Sequence, residues 1–332
     1  MTVNGFKALV VTEENEHVSA CITDCDLSNL SSGNTVIKTL YSAINFKDGL
    51  ATIKNGGVVR NYPMIPGVDA VGEVVSCEDS TFKVGDQVVL TGNAFGVSHT
   101  GGFSEYLRVP SEWPIALPKE LSAKEGAVIG TAGLTAMEAI NQLERHGLSD
   151  KSAHILVTGA TGGVGSLAIA MLKSLGYKNI TALSRKKNEA FLLEIGATCV
   201  IGLDEFTQEK IKPLQKQNFD SVIDTIGGET LGAILPQISY GGSIALCGNA
   251  SGIKFETTVL PFILRGVTMI GIDSVQLTND IKEAIWERMA KCIDKELLKK
   301  IGAKEVLFKD SEKIITKVLE GTHSGRTVIT FL

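Results

Sequence analysis

The stretch His154-Ile155-Leu156-Val157-Thr158-Gly159-Ala160-Thr161-Gly162-Gly163-Val164-Gly165 decides how the chain is read. A short, mostly apolar β-forming run enters a glycine turn, and Val164, Leu167, Ala168, Met171, Leu172 and Leu175 then fall on one helical face. Strand, turn and helix arrive in the order that builds a phosphate cradle. Side chains in such a turn would hold a pyrophosphate away from the backbone N–H groups at the helix N-terminus, where the helix dipole favours an anion. In this context the glycines predict dinucleotide binding; a βα turn that merely packs closely is the alternative.

Outward from that motif, apolar runs at 180–184, 198–201, 221–225, 243–247 and 268–272 alternate with helix-period segments. With 154–158 they make six strands, the count of a doubly wound parallel sheet, and the fold class is α/β. Up to about residue 120 the texture differs: short β-branched runs such as Thr35-Val36-Ile37-Lys38-Thr39 and Gly72-Glu73-Val74-Val75 are broken by Gly, Pro, Asn and Asp. That pattern predicts a β-rich module with long loops. Residues 278–293 carry Ile281, Ala284, Ile285, Met289 and Ile293 at helical spacing, and the β-like tail 326–331 is assigned to the first module. The expected domains are therefore 1–125 with 273–332, and 126–272. A length of 332 residues suits two domains.

Composition excludes several classes. Hydrophobic residues make up 44% and charged residues 21%, as in folded globular proteins, which argues against disorder. Lys plus Arg number 32 against 37 Asp plus Glu, a net charge of −5 with no long block of either sign, so neither nucleic acid nor an anionic membrane is an expected partner. No stretch approaches the length of a membrane span, and the apolar run at 6–11 is too short for a signal peptide; a cytoplasmic location is expected. Cys21, Cys25, Cys77, Cys199, Cys247 and Cys292 are scattered without zinc-ligand spacing and read as small hydrophobes in a reducing cell.

The end of the second strand of the sheet decides which dinucleotide. An NAD site places Asp or Glu there for the ribose hydroxyls. This chain has Ser184-Arg185-Lys186-Lys187, with no acid before Glu189. A carboxylate would repel a 2′-phosphate, whereas Ser and Arg give it charge-assisted hydrogen bonds, so NADP(H) is the expected cofactor. Three cations at a helix start otherwise oppose the helix dipole.

With these residues in place the sequence resembles a zinc-free medium-chain dehydrogenase/reductase of the quinone-oxidoreductase-like kind, and within it the acryloyl-CoA reductase branch. The segments that carry the resemblance are Asn45-Phe46-Lys47-Asp48, Pro63-Met64-Ile65-Pro66-Gly67-Val68-Asp69, Ile129-Gly130-Thr131-Ala132-Gly133-Leu134-Thr135-Ala136, Pro261-Phe262-Ile263-Leu264-Arg265, Gly271-Ile272-Asp273-Ser274 and Gly325-Arg326-Thr327. The resemblance implies a split GroES-like catalytic domain, an inserted Rossmann domain and a homodimer. Zinc-dependent relatives carry Cys where Asn45 stands, Gly-His-Glu where Gly67-Val68-Asp69 stands, and a further Cys near Val128. No metal is therefore expected.

By the same resemblance, cofactor contacts are expected from Phe46, Thr131, Gly159, Ala160, Thr161, Gly162, Gly163, Val164, Ser184, Arg185, Asn249, Ile263, Ser274 and Arg326. The segment from Ser184 to Gly196 is one residue shorter than the family pattern, which leaves Arg185, Lys186 and Lys187 as alternatives for the phosphate-binding cation. The implied reaction passes hydride from NADPH to the β-carbon of an activated alkene, acryloyl-CoA giving propionyl-CoA. Quinone reduction is the alternative acceptor chemistry, and a non-catalytic NADPH-binding sensor is a further one. Without zinc the developing enolate oxygen needs hydrogen-bond donors. Asn45 is the expected donor and Asp48 the group that orients it or a water; a helix cap and a surface carboxylate are the plainer readings of the pair. Tyr62 is the alternative proton donor, and Arg60 a contact for CoA phosphates or a solvated loop residue.

Overall fold

The computed structural model describes every residue except 1, 2, 4, 16, 186, 187, 207–211 and 322. The chain divides into two compact units, one formed by residues 1–131, 275–290 and 302–332, the other by 132–274 and 291–301. The sequence-expected bounds differ from these by a few residues at the two crossings and by segment 291–301, whose helix Lys295–Ile301 buries Leu298 and Ile301 within the second unit.

In chain order the strands of the first unit begin with β1 (Phe6–Glu14), β2 (His17–Cys25), β3 (Thr35–Ala43), β4 (Asp69–Cys77), β5 (Gln87–Thr91), β6 (Tyr106–Val109) and β7 (Ile115–Ala116). Those of the second unit are β8 (His154–Thr158), β9 (Asn179–Ser184), β10 (Cys199–Gly202), β11 (Phe219–Asp224), β12 (Ile238–Leu246) and β13 (Thr268–Gly271), and β14 (Lys304–Leu307) and β15 (Thr327–Thr330) return to the first. Three helices carry candidate site residues: α1 (Phe46–Ala51), α2 (Ala123–Arg145) and α3 (Gly163–Ser174).

The second unit is a six-stranded parallel sheet of order β10-β9-β8-β11-β12-β13, the doubly wound arrangement. Its strands are nearly continuous apolar runs because helices cover both faces of such a sheet; β8 is buried from Ile155 to Thr158. Leu156, Leu183, Val222 and Ile244 pack against Leu231, Ile234 and Ile238 in one cluster. β12 starts five residues earlier than its apolar run suggests. The register with β11 passes from Phe219 opposite Ile238 to Ser221 opposite Ser243, and the resulting bulge absorbs Gly241 and Gly242.

In the first unit a sheet runs β14-β15-β3-β4-β5-β7, with β6 also paired to β3, beside the hairpin of β1 and β2. The C-terminal tail enters this sheet as β15, antiparallel to β3 with Val328 opposite Ala43. The amphipathic segment near the C-terminus forms the helix Asn279–Cys292, close to its expected limits. Among the described residues no helix is long and apolar enough to cross a membrane.

Candidate functional site

In the second unit the ends of β8 and β11 are adjacent where the strand order reverses, the place at which open α/β sheets take their ligands. Hydrogen bonds stitch these ends together. Thr158 Oγ1 donates to Asp224 Oδ1 at 2.6 Å, Thr225 N donates to Thr158 Oγ1 at 2.9 Å, and Gly227 N donates to Asp224 Oδ2 at 2.9 Å. The chain leaves β8 through Gly159 at φ 56°, and a Cβ there would overlap the Thr225 hydroxyl, so only glycine fits. Gly162 is the N-cap of α3. A Cβ added to it would meet Gly159 O at 3.1 Å and otherwise open space, so its absence leaves room for a ligand over the helix N-terminus. The first-turn N–H groups of a helix lack intrahelical partners and face that space. The cradle fits the pyrophosphate of a dinucleotide.

Ser184 closes β9, buried, with its hydroxyl 3.4 Å from that of Thr161 in the glycine turn. Arg185 follows, exposed. The strand-end hydroxyl and the cradle are thus neighbours, as a ribose and its pyrophosphate require. Lys186 and Lys187 lie outside the described residues. Of the other expected contacts in this unit, Asn249 is exposed beyond β12, Ile263 is exposed on the short helix Leu260–Arg265, and Ser274 is buried with its hydroxyl 2.7 Å from that of Thr135.

The first unit gathers Asn45, Asp48, Thr131 and Arg326 around a residue to which the sequence reading assigns no role, Asp69. Arg326 donates from Nη2 to Asp69 Oδ2 at 2.7 Å, from Nη1 to Asn45 Oδ1 at 2.7 Å and Ile44 O at 3.3 Å, and from Nε to Val128 O at 3.0 Å. Asn45 Nδ2 donates to Asp69 Oδ2 at 2.8 Å and to Ala43 O at 3.2 Å. The orientation of the amide follows from these partners, since a guanidinium only donates and a carboxylate only accepts. Asp69 Oδ1 accepts from Thr131 N at 2.6 Å. That bond depends on a break in α2 at Gly130, where φ is 46° and ψ −153°; a Cβ at Gly130 would overlap the Asp69 carboxylate. The sequence signal for it is a lone glycine inside a helical pattern.

Asn45 caps α1, and Asp48 completes the turn by accepting from Asn45 N at 2.7 Å and from Val68 N at 3.0 Å. Asp48 is 1% exposed. Burial pushes its carboxyl up to about 7, opposed by the Asn45 N–H and reinforced by the charge of Asp69. Tyr62 is half-buried and packs against the cluster of Leu9, Val11 and Ile44; burial, with Glu13 nearby, raises its hydroxyl and keeps it protonated at neutral pH. Phe46 is exposed at the first position of α1.

Two of the expected site residues are held inside this network. Asn45 directs both of its amide hydrogens at Ala43 O and Asp69 Oδ2. Arg326, expected as a cofactor contact, lies within the network. It is 2% exposed and holds four acceptors inside the first unit. Neither fact was readable from local sequence, since the partners come from four separate segments.

Zinc does not fit here. Asn45 and Val68 offer neither thiolate nor imidazole at the positions where the resemblance expects ligands in zinc-dependent relatives, and Val128 is buried and offers its carbonyl to Arg326. Of the two carboxylates in the group, Asp69 is already neutralised by a guanidinium and Asp48 is buried, accepting from the backbone N–H groups of Asn45 and Val68. Among the described residues no three His, Cys, Asp or Glu side chains are grouped to hold a metal.

Comparison with known proteins supplies the lineage. Residues 31–119 match the alcohol dehydrogenase GroES-like domain and residues 163–291 the zinc-binding dehydrogenase domain. The chain is 40% identical over 324 residues to YhfP of Bacillus subtilis, named a quinone oxidoreductase, covering 98% of both chains. It is 38% identical over 326 residues to the acrylyl-CoA reductase AcuI of Ruegeria pomeroyi, again covering 98% of both. The crystal structure of YhfP with NAD bound superposes with a TM-score of 0.95, covering 99% of this chain and 100% of that one. The YhdH oxidoreductase of Salmonella enterica in complex with NADP, 36% identical, has a TM-score of 0.94 over 98% of this chain and 100% of that one.

Proposed function

Because the chain belongs to the zinc-free, quinone-oxidoreductase-like branch of the medium-chain dehydrogenase/reductase family, we propose that it is an NADPH-dependent reductase of activated carbon–carbon double bonds that converts acryloyl-CoA to propionyl-CoA. The observation that carries the cofactor is Ser184 at the end of β9, 3.4 Å from Thr161 of the glycine turn and followed by Arg185. A hydroxyl and a cation stand where an NAD site carries a carboxylate. The acceptor rests on the acrylyl-CoA reductase named among the relatives, matched over almost its whole length. A quinone is the second reading, favoured by the name of YhfP.

Bound NADPH supplies the hydride that joins the β-carbon. The chain's own residues bind and position. Gly159 to Val164 and the N-terminus of α3 hold the pyrophosphate, and Ser184 with Arg185 holds the 2′-phosphate. Phe46, Thr131, Asn249, Ile263 and Ser274 are proposed as further contacts to the cofactor. Asn45 and Asp48 are positioning residues: Asp48 fixes the backbone N–H groups of Asn45 and Val68, and Arg326 and Asp69 hold the two ends of the Asn45 amide. A cytoplasmic homodimer completes the reading. Six free cysteines support the reducing compartment, and exposed Ile253, Val259 and Leu264 support a self-association surface on the second unit.

Steady-state NADPH oxidation with acryloyl-CoA, crotonyl-CoA, a quinone and an aldehyde tests the proposal. Highest kcat/KM with acryloyl-CoA is expected. Preference for the quinone would put the second reading ahead, and no turnover with any acceptor despite NADPH binding would leave a sensor.

A further inference from the structure

Two adjoining cavities of the first unit, of about 350 and 260 Å³, share Gly57, Val58, Val97 and Ser98 and so form one continuous groove. Its walls are the chain after α1 and the loop after β5. Lys47, in the first turn of α1, borders one cavity, and Arg60 borders the other; both side chains are exposed. Among the described residues no Asp or Glu lines either cavity, although acids outnumber bases in the whole chain by 37 to 32. Local charge is therefore opposite to global charge.

Between the cations the amide and hydroxyl groups of Asn61, Asn93, Ser98 and Gln276 are interleaved with the apolar side chains of Val58, Met64, Val97 and Val275. Asn93 is held by an unusual support. Lys282 is 1% exposed, and its Nζ lies 3.3 Å from Asn93 Oδ1 and 3.4 Å from Thr91 O, with burial lowering its ammonium. A lysine withdrawn from water to hold the carbonyl end of one asparagine leaves the amino end of that amide for a ligand.

We infer that this groove is a subsite for the phosphate-bearing pantetheine arm of a CoA thioester, with Lys47 and Arg60 as its phosphate contacts. The inference rests on the proposed acryloyl-CoA reaction and adds to it the residues that recognise the carrier. An elongated ligand with amides along its length and anionic phosphates matches the polar lining and the cations. A quinone has neither and would draw nothing from them. Lys47 lies two positions beyond Asn45, the cap of the same helix, so the groove begins beside the positioning network of the first unit.

The test compares acryloyl-CoA with the N-acetylcysteamine thioester of acrylate, which carries the same alkene without phosphates. The wild type is expected to prefer the CoA thioester in kcat/KM. In K47A/R60A the ratio of the two kcat/KM values should fall about a hundredfold, about tenfold for each charge-assisted hydrogen bond removed. Raised ionic strength should lower the wild-type ratio in the same direction. A ratio unchanged by the substitutions, or a wild type indifferent to the CoA portion, overturns the subsite. Calorimetric binding of free CoA separates this inference from the reaction itself. Absence of turnover with either thioester would refute the proposed reaction, while CoA affinity retained by K47A/R60A refutes the subsite whether or not turnover occurs.

Discussion

Arg326 Nη2 lies 2.7 Å from Asp69 Oδ2, and both side chains are 2% exposed. The pair is buried near the start of α2, and each partner is held by further hydrogen bonds, Arg326 to Val128, Ile44 and Asn45, Asp69 to Asn45 and Thr131. An internal guanidinium thus neutralises the Asp69 carboxylate.

Removing one partner strands the other's charge. Arg326→Met should therefore destabilise the protein by about 3–5 kcal/mol, and adding Asp69→Leu to it should recover part of that loss, because a buried pair costs far less to delete whole than to break. Urea unfolding of the two variants measures the difference. Asn45→Ala, which removes three side-chain hydrogen bonds, should also lower stability, by about 1–3 kcal/mol.

The doubly wound half was legible because its evidence is local: an apolar strand, a glycine turn and a helical face within about twenty residues. The place of Ser184 and Arg185 at the end of a strand was readable for the same reason. The Arg326–Asp69 contact joins positions 257 residues apart, and no periodicity or spacing relates them. Asn45 was legible as a helix cap, but not the fate of its amide hydrogens, which depends on Asp69 from β4. The bulge that lengthens β12 was hidden because Gly241-Gly242 signals a break unless a paired strand absorbs it.

Asp48 makes stability depend on pH. Its carboxyl holds a proton up to about pH 7 in the folded state, against an ordinary value of 3.8. Between those values the folded state binds more protons, so stability falls as pH rises through the window and levels off above it. The full effect is up to about 4 kcal/mol. Asp48→Asn should flatten this slope while lowering the whole curve, since an amide accepts one backbone N–H where the carboxyl accepts two. Urea midpoints from about pH 4.5 to about pH 8 would show it.

Ser184 and Arg185 should set cofactor preference. Ser184→Asp with Arg185→Ala is expected to lose about 1.5–3 kcal/mol per charge-assisted hydrogen bond, lowering NADPH affinity at least about tenfold for each while NADH is little affected. Fluorescence titration with both cofactors checks this, and equal losses would mean that these residues do not read the 2′-phosphate.

Chelation should leave activity intact. The donor set at Asn45, Val68 and Val128 offers no thiolate or imidazole, so prolonged treatment with a chelator is expected to change neither kcat nor Tm. Elemental analysis should find zinc well below one atom per chain; stoichiometric zinc whose removal abolishes activity would refute the reading of that site.

The proposed reaction transfers hydride from NADPH to the β-carbon of an activated alkene. It is tested most directly by turning over acryloyl-CoA with NADPH deuterated at the transferred C4 position and locating the label in the product by NMR. Deuterium at C3 of propionyl-CoA, with the C2 proton drawn from solvent, is the predicted result. Deuterium at C2, or NADPH consumption without labelled propionyl-CoA, would contradict it.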